Sequence, residues 1–552
     1  MKGTIRKILV LVLCAALFTG ILAACGDKAS NDPATNSPSG NSPSPTSGGN
    51  TDKPEGSNPP EDEWVTRTVG ISGSLGNLLQ AGAVRENEQL LTIVYDTMWM
   101  VNPITKEIHS DIFEDWYYED ELTFVVKLKD GVYFSNGAKA TAEDVLFSGS
   151  NLIIRKSNKA NQFGPMDLEA SYAKDELTAV FKFTKPWGPG ITMSNTPFMC
   201  KAWCEEVGWE AQEWFTGPVA SGPYEVAEYV PDDHYTLRLR EDYWDKSKEF
   251  FVDEWVMRYF PDAGTMAMEL EQGNLDVIAG MLPADYDRYV ADGASMGLGV
   301  RTVSMNDVLH MTFGVANNPI FKDINVRKAI AHGVDWNAIG EMGYGAMHAE
   351  PGGMLSKISP YYMETGAYNY DPDLAKQILA DAGYKAGDIK LKTIQMDIAR
   401  TKRMTEGLQY YLSELGITLD ITFGDVPSVI KAWNTQGENE IGWQNNPSGS
   451  VAGEPFQSWF QLAKSTGIFF HTLVEDDHFY EQYDKSIYTT DTALRKELYT
   501  ELQKYMHDNY LVVPVTEYNT ARVFRTAVFS EAEIANAFCD EAVLYLNKLS
   551  VR

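Results

Sequence analysis

Cysteine and histidine are scarce in this chain of 552 residues, with five of the first and eight of the second. Five cysteines are too few for a disulfide framework in a chain this long. A structural zinc site takes about four nitrogen or sulfur ligands, and no histidine stands close to Cys200 and Cys204. Two thiols on one helical face, or a local disulfide, are the readings left open for that pair. The histidines are scattered, and only His471 and His478, flanking Glu475-Asp476-Asp477, could be drawn as a metal cluster. A solvated acidic turn is the simpler explanation. His-Glu-x-x-His, Gly-x-Ser-x-Gly, Gly-x-Gly-x-x-Gly and phosphate-loop patterns are all missing, which removes the common hydrolase, dinucleotide and nucleotide signatures. Carboxylate pairs such as Glu114 and Asp115 are expected by chance among 77 acids. No catalytic residue, metal or cofactor is therefore expected. Basic residues are also short, 46 against those 77 acids, for a formal charge of -31. Such a surface repels phosphate backbones, so nucleic acid is excluded as a partner. After Leu22 no long uninterrupted apolar run occurs, so no later segment is expected to span a membrane.

What is present begins at the start of the chain. Lys2, Arg6 and Lys7 precede an apolar run from Ile8 to Leu22, which closes in Leu22-Ala23-Ala24-Cys25-Gly26. A cationic head, an apolar stretch and small residues before a cut site make an export signal. The cysteine after that site resembles the lipobox of bacterial lipoproteins. The resemblance implies that residues 1–24 are removed and that Cys25 carries a lipid. The protein would then sit on the outer face of the bacterial cytoplasmic membrane. Residues 26–60 hold nothing more apolar than alanine and cannot bury enough surface to fold. Residues 25–61 read as a tether, whose flexible part spans roughly 33 Å. Folded sequence is expected from about Trp64.

Beyond that point a length prior of about 150 residues per domain suggests three or four units. Hydrophobic content of 44% is ample for their cores. Leu122, Phe124, Val126 and Leu128 alternate with other residues, as do Leu177, Ala179, Phe181 and Phe183, and Tyr235, Leu237 and Leu239. That period predicts half-buried strands. Thr141-Ala-Glu-Asp144 predicts a capping box opening a helix. Asp371-Pro372 predicts a second helix, with Leu374, Ile378 and Ala382 at helical spacing and Gly383 closing it. Strands and helices mixed in this way predict an α/β chain of several domains.

Several segments together resemble the extracytoplasmic solute-binding proteins, family 5, of peptide/nickel-type ABC importers. They are Asp115-Trp116 before the strand from Leu122, then Leu128-Lys-Asp-Gly-Val-Tyr-Phe through Thr141-Ala-Glu-Asp-Val145. Next come Ser221-Gly-Pro-Tyr224, Glu241-Asp-Tyr-Trp244 and Gln272-Gly-Asn-Leu-Asp276. Phe321-Lys-Asp-Ile-Asn-Val-Arg-Lys-Ala-Ile330 with Asp335, and Tyr370-Asp-Pro through Ala382-Gly-Tyr384, complete the series. The resemblance implies a two-lobe, periplasmic-binding-protein-like α/β fold with an extra domain and a hinge. Lobe I is expected at 62–105, 218–318 and 508–552, the extra domain at 106–217 and lobe II at 319–507. A monomer is implied that closes on a small solute and passes it to an ABC permease with ATPase subunits.

The solute end of the resemblance is thinner. Peptide binders of this class carry an aspartate after a Gly-Trp in lobe II, and here the segment reads Gly442-Trp443-Gln444-Asn445-Asn446. An amide still accepts a hydrogen bond from an ammonium, but charge-assisted bonds are about twice as strong. An early Ser-Leu-Asp-Pro element is Ser74-Leu75-Gly76-Asn77. Candidate cleft residues are Trp443, Gln444, Asn445, Asn446, Glu517, Tyr518, Ser74, Asn77, Trp433 and Trp459. An oligopeptide is the favoured solute and an oligosaccharide the second. Nickel chelates, a sensory receptor on the same fold and, more distantly, a secreted lipoprotein hydrolase complete the alternatives.

Overall fold

A computed structural model of the chain describes residues 64–71, 92–101, 107–154, 163–190, 196–208, 213–278, 283–444, 455–464, 469–537 and 546–550. Cys25, Ser74, Asn77, Asn445 and Asn446 lie outside these residues, as do the expected signal and tether. Among the described residues the largest sheet has eight strands. Its order is Ile441–Gln444, Leu298–Phe313, Val512–Arg525, Val277–Ile278, Thr66–Ile71, Glu254–Tyr259, His234–Leu239, Tyr224–Val230. Thr66–Ile71 pairs in parallel with Glu254–Tyr259, and the two strands beyond it, back to Tyr224–Val230, pair antiparallel. Local alternation buries Tyr235 and Leu237 of this sheet on a core that includes Trp255, Met257 and Tyr224.

A separate sheet of four antiparallel strands runs Phe113–Asp120, Thr123–Leu128, Thr178–Phe183, Met166–Ala173. The helix Ala142–Ile154 packs on it, and Gly149 brings the helix against the rings of Phe163 and Phe181. The predicted capping box is present with one difference. Asp144 reaches back to the Thr141 N–H at 2.9 Å, but the Thr141 hydroxyl donates to the same carboxylate at 2.8 Å. The other Asp144 oxygen accepts the N–H of Lys201, at 2.9 Å, and so fixes the start of the helix Lys201–Val207. Cys200 and Cys204, at the head of that helix, are buried and not joined to each other, so of the two open readings the disulfide is excluded.

Met100–Val101 pairs antiparallel with Ile108–His109, and Lys390–Met396 and Thr418–Gly424 pair in parallel around the helix Ala399–Glu414. Lys390–Met396 also lies beside Ile441–Gln444. Glu440 donates its N–H to the Lys392 carbonyl at 3.1 Å, and the Thr393 hydroxyl donates to the Ile441 carbonyl at 2.6 Å. Contacts advance together along both strands, so three strands run the same way. The result is a mixed α/β chain with two lobes and an extra four-stranded domain.

The segments that carry the family resemblance turn out to be scaffold. Asp96, buried in lobe I, accepts from the Tyr243 hydroxyl at 3.1 Å and the Trp244 indole at 2.8 Å. Its own N–H donates to Ser221 Oγ at 3.1 Å. A Cβ at Gly222 would stand 2.5 Å from the Val94 carbonyl, so only glycine lets these segments meet. Asp276 accepts the N–H of Thr68 at 2.8 Å and pairs with Arg525 at 3.3 Å. Arg327 is buried in lobe II, where its guanidinium donates to the carbonyls of Phe321, Asn509 and Tyr510. Asp323, Asp335 and Asp371 cap three helices of lobe II. Tyr384 reaches back to Asp323 at 3.1 Å. Ser221, Asp276, Arg327 and the three capping aspartates satisfy backbone groups that helix ends or long-range crossings leave open.

Candidate functional site between the lobes

Two long strands run side by side through the eight-stranded sheet. Leu298–Phe313 and Val512–Arg525 pair antiparallel, Leu298 with Arg525 at one end and Thr312 with Val512 at the other. In the first half the neighbour is Val277–Ile278 of lobe I. In the second half it is Ile441–Gln444 of lobe II. The pairing breaks between these halves. Register shifts fall between Ser304 and Val308 and again between Leu309 and His310, with Pro514 facing His310. A proline supplies no ladder N–H, and irregular pairing bends and twists a strand locally. The irregular stretch is therefore where this one sheet can bend.

A polar group stitches this junction to the segment after the helix Trp336–Tyr344. Glu517 is buried, and one of its oxygens accepts the Lys357 N–H at 3.1 Å. Its own N–H donates to the Ala349 carbonyl at 2.8 Å. Burial pushes the Glu517 carboxyl up, opposed by hydrogen bonds from Ser356 and Lys357. Thr516 Oγ1 lies 2.7 Å from His348 Nδ1, whose other nitrogen meets Asn337 at 2.8 Å. Burial holds His348 below its ordinary range, opposed by Glu341 and Glu350. Asn519 donates to the Met347 carbonyl at 3.0 Å. Tyr518 stands between these residues in the strand; only its backbone is described.

The tryptophans separate by environment. Trp443 is buried, and its indole donates to Thr405 of the helix Ala399–Glu414 at 3.0 Å. Trp459 is fully buried with its ring 5.9 Å from that of Tyr499. Both indoles are turned into packing. Trp433 differs: it is half-buried, donates to the Ile394 carbonyl at 3.0 Å and meets the rings of His471 at 4.8 Å and Phe469 at 5.2 Å. Val426 and Ile430, on the same helix face, are exposed and lead up to it. His471 is buried and held down to about 3 by that burial. Its ring is therefore an uncharged part of this packing. Gln444 ends its strand, buried, opposite His310. The three co-directional strands end at Met396, Gly424 and Gln444. In open α/β sheets solutes bind beyond such carboxyl ends.

The Trp433, Phe469 and His471 grouping was not marked by any sequence pattern beyond the tryptophan itself. Among the described residues no group of three or more histidines, cysteines or acids could hold a metal ion. The acidic turn drawn as a possible cluster is occupied otherwise. Asp476 caps the helix Asp477–Ile487 and accepts from the Tyr505 hydroxyl, while His478 packs on Tyr505. Among the described residues no helix is long and apolar enough to cross a membrane.

This two-lobe architecture is shared with known extracellular solute-binding proteins. The family model of bacterial extracellular solute-binding proteins, family 5, matches residues 107–467, and the chain belongs to that family. The dipeptide-binding protein of Escherichia coli (strain K12) is 23% identical over 446 residues, covering 73% of this chain and 80% of that protein. The ABC transporter substrate-binding protein CtaP of Listeria monocytogenes superposes with a TM-score of 0.74 at 20% identity, covering 87% of this chain and 99% of CtaP. The oligopeptide-binding protein AppA of Bacillus subtilis, solved with a nonapeptide, gives 0.70 at 17% identity over 88% and 98% of the two chains. These relatives are solute-binding proteins rather than enzymes.

Proposed function

We propose that this chain is a lipid-anchored receptor that captures an oligopeptide outside the cell and delivers it to a membrane ABC permease. The observation that carries the reading is the crossing pair, Leu298–Phe313 with Val512–Arg525, whose irregular register falls between its pairings with Val277–Ile278 and with Ile441–Gln444. A hinge there lets an open and a closed form exchange. A solute touching both lobes binds the closed form better and shifts the population toward it. Cys25 carries the lipid and residues 26–60 the tether, on the outer face of the bacterial cytoplasmic membrane. Lobe I is assigned to 62–105, 218–318 and 508–552, the extra domain to 106–217 and lobe II to 319–507. The solute meets Ser74 and Asn77 from lobe I and Gln444, Asn445 and Asn446 from lobe II. Glu517 and Tyr518 flank it from the crossing strand. Trp433 forms an aromatic wall, with Trp443 and Trp459 packed behind.

A second reading, an oligosaccharide, is favoured by one feature. Asn446 stands where peptide binders place an aspartate, and half-buried Trp433, beside an uncharged His471, offers a ring face. Native mass spectrometry of the purified protein with a mixed peptide library and a mixed oligosaccharide set decides between them. One bound peptide per chain is expected. Retention of oligosaccharides alone would overturn the peptide assignment, and retention of neither would remove both.

A further inference from the structure

The extra domain leaves lobe I and returns to it, and it is packed there. Lys248 of lobe I pairs with Asp111 at 2.7 Å, and Met199, Cys204 and Trp214 share the apolar core of lobe I. It nevertheless touches lobe II, to which it has no direct chain connection. Trp187 is buried, with its ring edge-on to Phe456 at 5.0 Å and tilted against Tyr488 at 6.2 Å. The next residue, Gly188, donates its N–H to the Ile487 carbonyl at 2.9 Å. Lys185 places its ammonium 4.7 Å from the centre of the Tyr488 ring. The Tyr118 hydroxyl holds the Trp187 carbonyl at 3.1 Å from the side of the extra domain.

Two glycines make this approach possible. A Cβ at Gly164 would stand 2.2 Å from the Trp187 ring, so the ring lies flat on its own domain. A Cβ at Gly188 would stand 2.1 Å from the Thr489 carbonyl and 2.6 Å from Arg495 Nε. Both of those atoms belong to lobe II. The contact joins the apolar core of the extra domain to that of lobe II. Hinge rotation that separates lobe II from lobe I must pull lobe II away from Trp187, because the extra domain stays with lobe I.

We propose that Trp187 and Gly188 form a latch that favours the closed form before any solute arrives. The inference rests on the two-lobe closure given under Proposed function. When the latch parts, the Trp187 ring loses its cover from Phe456 and Tyr488 and meets water, and the Gly188 N–H loses its acceptor. A solute that needs the closed form binds more tightly in proportion to the fraction already closed. The latch therefore raises affinity for every solute alike and leaves selectivity to the cleft.

The test measures distance distributions between spin labels at Met268→Cys, exposed on lobe I, and Tyr410→Cys, exposed on lobe II, with no solute added. Wild type is expected to show a populated short distance. Gly188→Ala, which changes only the approach to lobe II, is expected to lower the ratio of short to long distances about tenfold. Trp187→Ala is expected to do the same, and Gly188→Ala decides the matter if that variant does not fold. An unchanged ratio in folded Gly188→Ala, or a wild type with only the long distance, would overturn the latch. Because no solute is used, either result leaves the importer assignment standing or falling on its own binding test.

Discussion

Asp96 gives the sharpest stability prediction. Its carboxylate is buried in lobe I and 5% exposed, held by the Tyr243 hydroxyl and the Trp244 indole. Burial raises it from 3.8 to about 6, with Lys248 and the Trp244 hydrogen bond opposing the rise. A raised acid binds its proton more tightly folded than unfolded. Its contribution is thus fully present below about pH 4 and is lost as pH climbs through about 6. At about 1.4 kcal/mol per unit, the loss comes to ~3 kcal/mol by neutral pH. Asp96→Asn removes the charge and keeps both bonds. The amide oxygen accepts from Trp244, and the amide nitrogen donates to the Tyr243 oxygen, since a phenol can do either. Lys248 keeps its partner Asp111. Asp96→Asn should therefore be at least as stable as wild type at pH 7.5 and less favoured by acid. Urea unfolding of both proteins from pH 4 to pH 7.5 measures this. Their stability difference should swing by ~3 kcal/mol across that range, in favour of the variant at high pH. A difference that stays constant with pH, or a variant several kcal/mol weaker at pH 7.5, would show that the buried charge is not the controlling term.

His310 should act with the opposite sign. Its burial lowers it from 6.5 to about 4, so stability is lost as pH falls between those values, by ~3 kcal/mol. His310→Gln should flatten that acid limb in urea titrations of the whole protein. Arg327→Lys should fail to rescue Arg327→Ala, because a lysine cannot reach the three carbonyls the fork serves. Both should weaken lobe II, by about 1–3 kcal/mol for each acceptor left buried without a donor, as read from denaturant midpoints. Trp433→Ala should lower solute affinity at least tenfold in calorimetry with a small change in melting temperature. Trp443→Phe should cost ~1 kcal/mol of stability through Thr405 and leave affinity within about twofold. Cys25→Ala should release the protein from membranes into the soluble fraction on cell fractionation.

The strand periods and helix caps were legible because they are local. Thr178–Phe183, His234–Leu239 and Pro372–Asp381 fall within a residue or so of where alternation and capping placed them. The resemblance segments were legible as a family pattern but not as what they do. Ser221, Tyr243 and Trp244 read as parts of a family pattern until Asp96, far away in sequence, gathers them, its N–H on Ser221 and its carboxylate on the two aromatic side chains. Pairing of Thr66–Ile71 with Glu254–Tyr259 joins residues nearly two hundred positions apart, and no local preference encodes that. The tryptophans show the same limit. Trp443 and Trp433 differ only in which neighbours they meet, Thr405 for one and a half-open aromatic group for the other. Trp187 carried no signal at all, since its importance comes from Gly188 and the lobe II atoms opposite it.

The most direct measurement follows the distance between Met268→Cys in lobe I and Tyr410→Cys in lobe II as solute is added to the otherwise native protein. Saturating solute should convert the mixture of long and short distances to the short one alone, and washing the solute away should restore the mixture. A bound solute that leaves the distribution unchanged would contradict capture by closure of the two lobes.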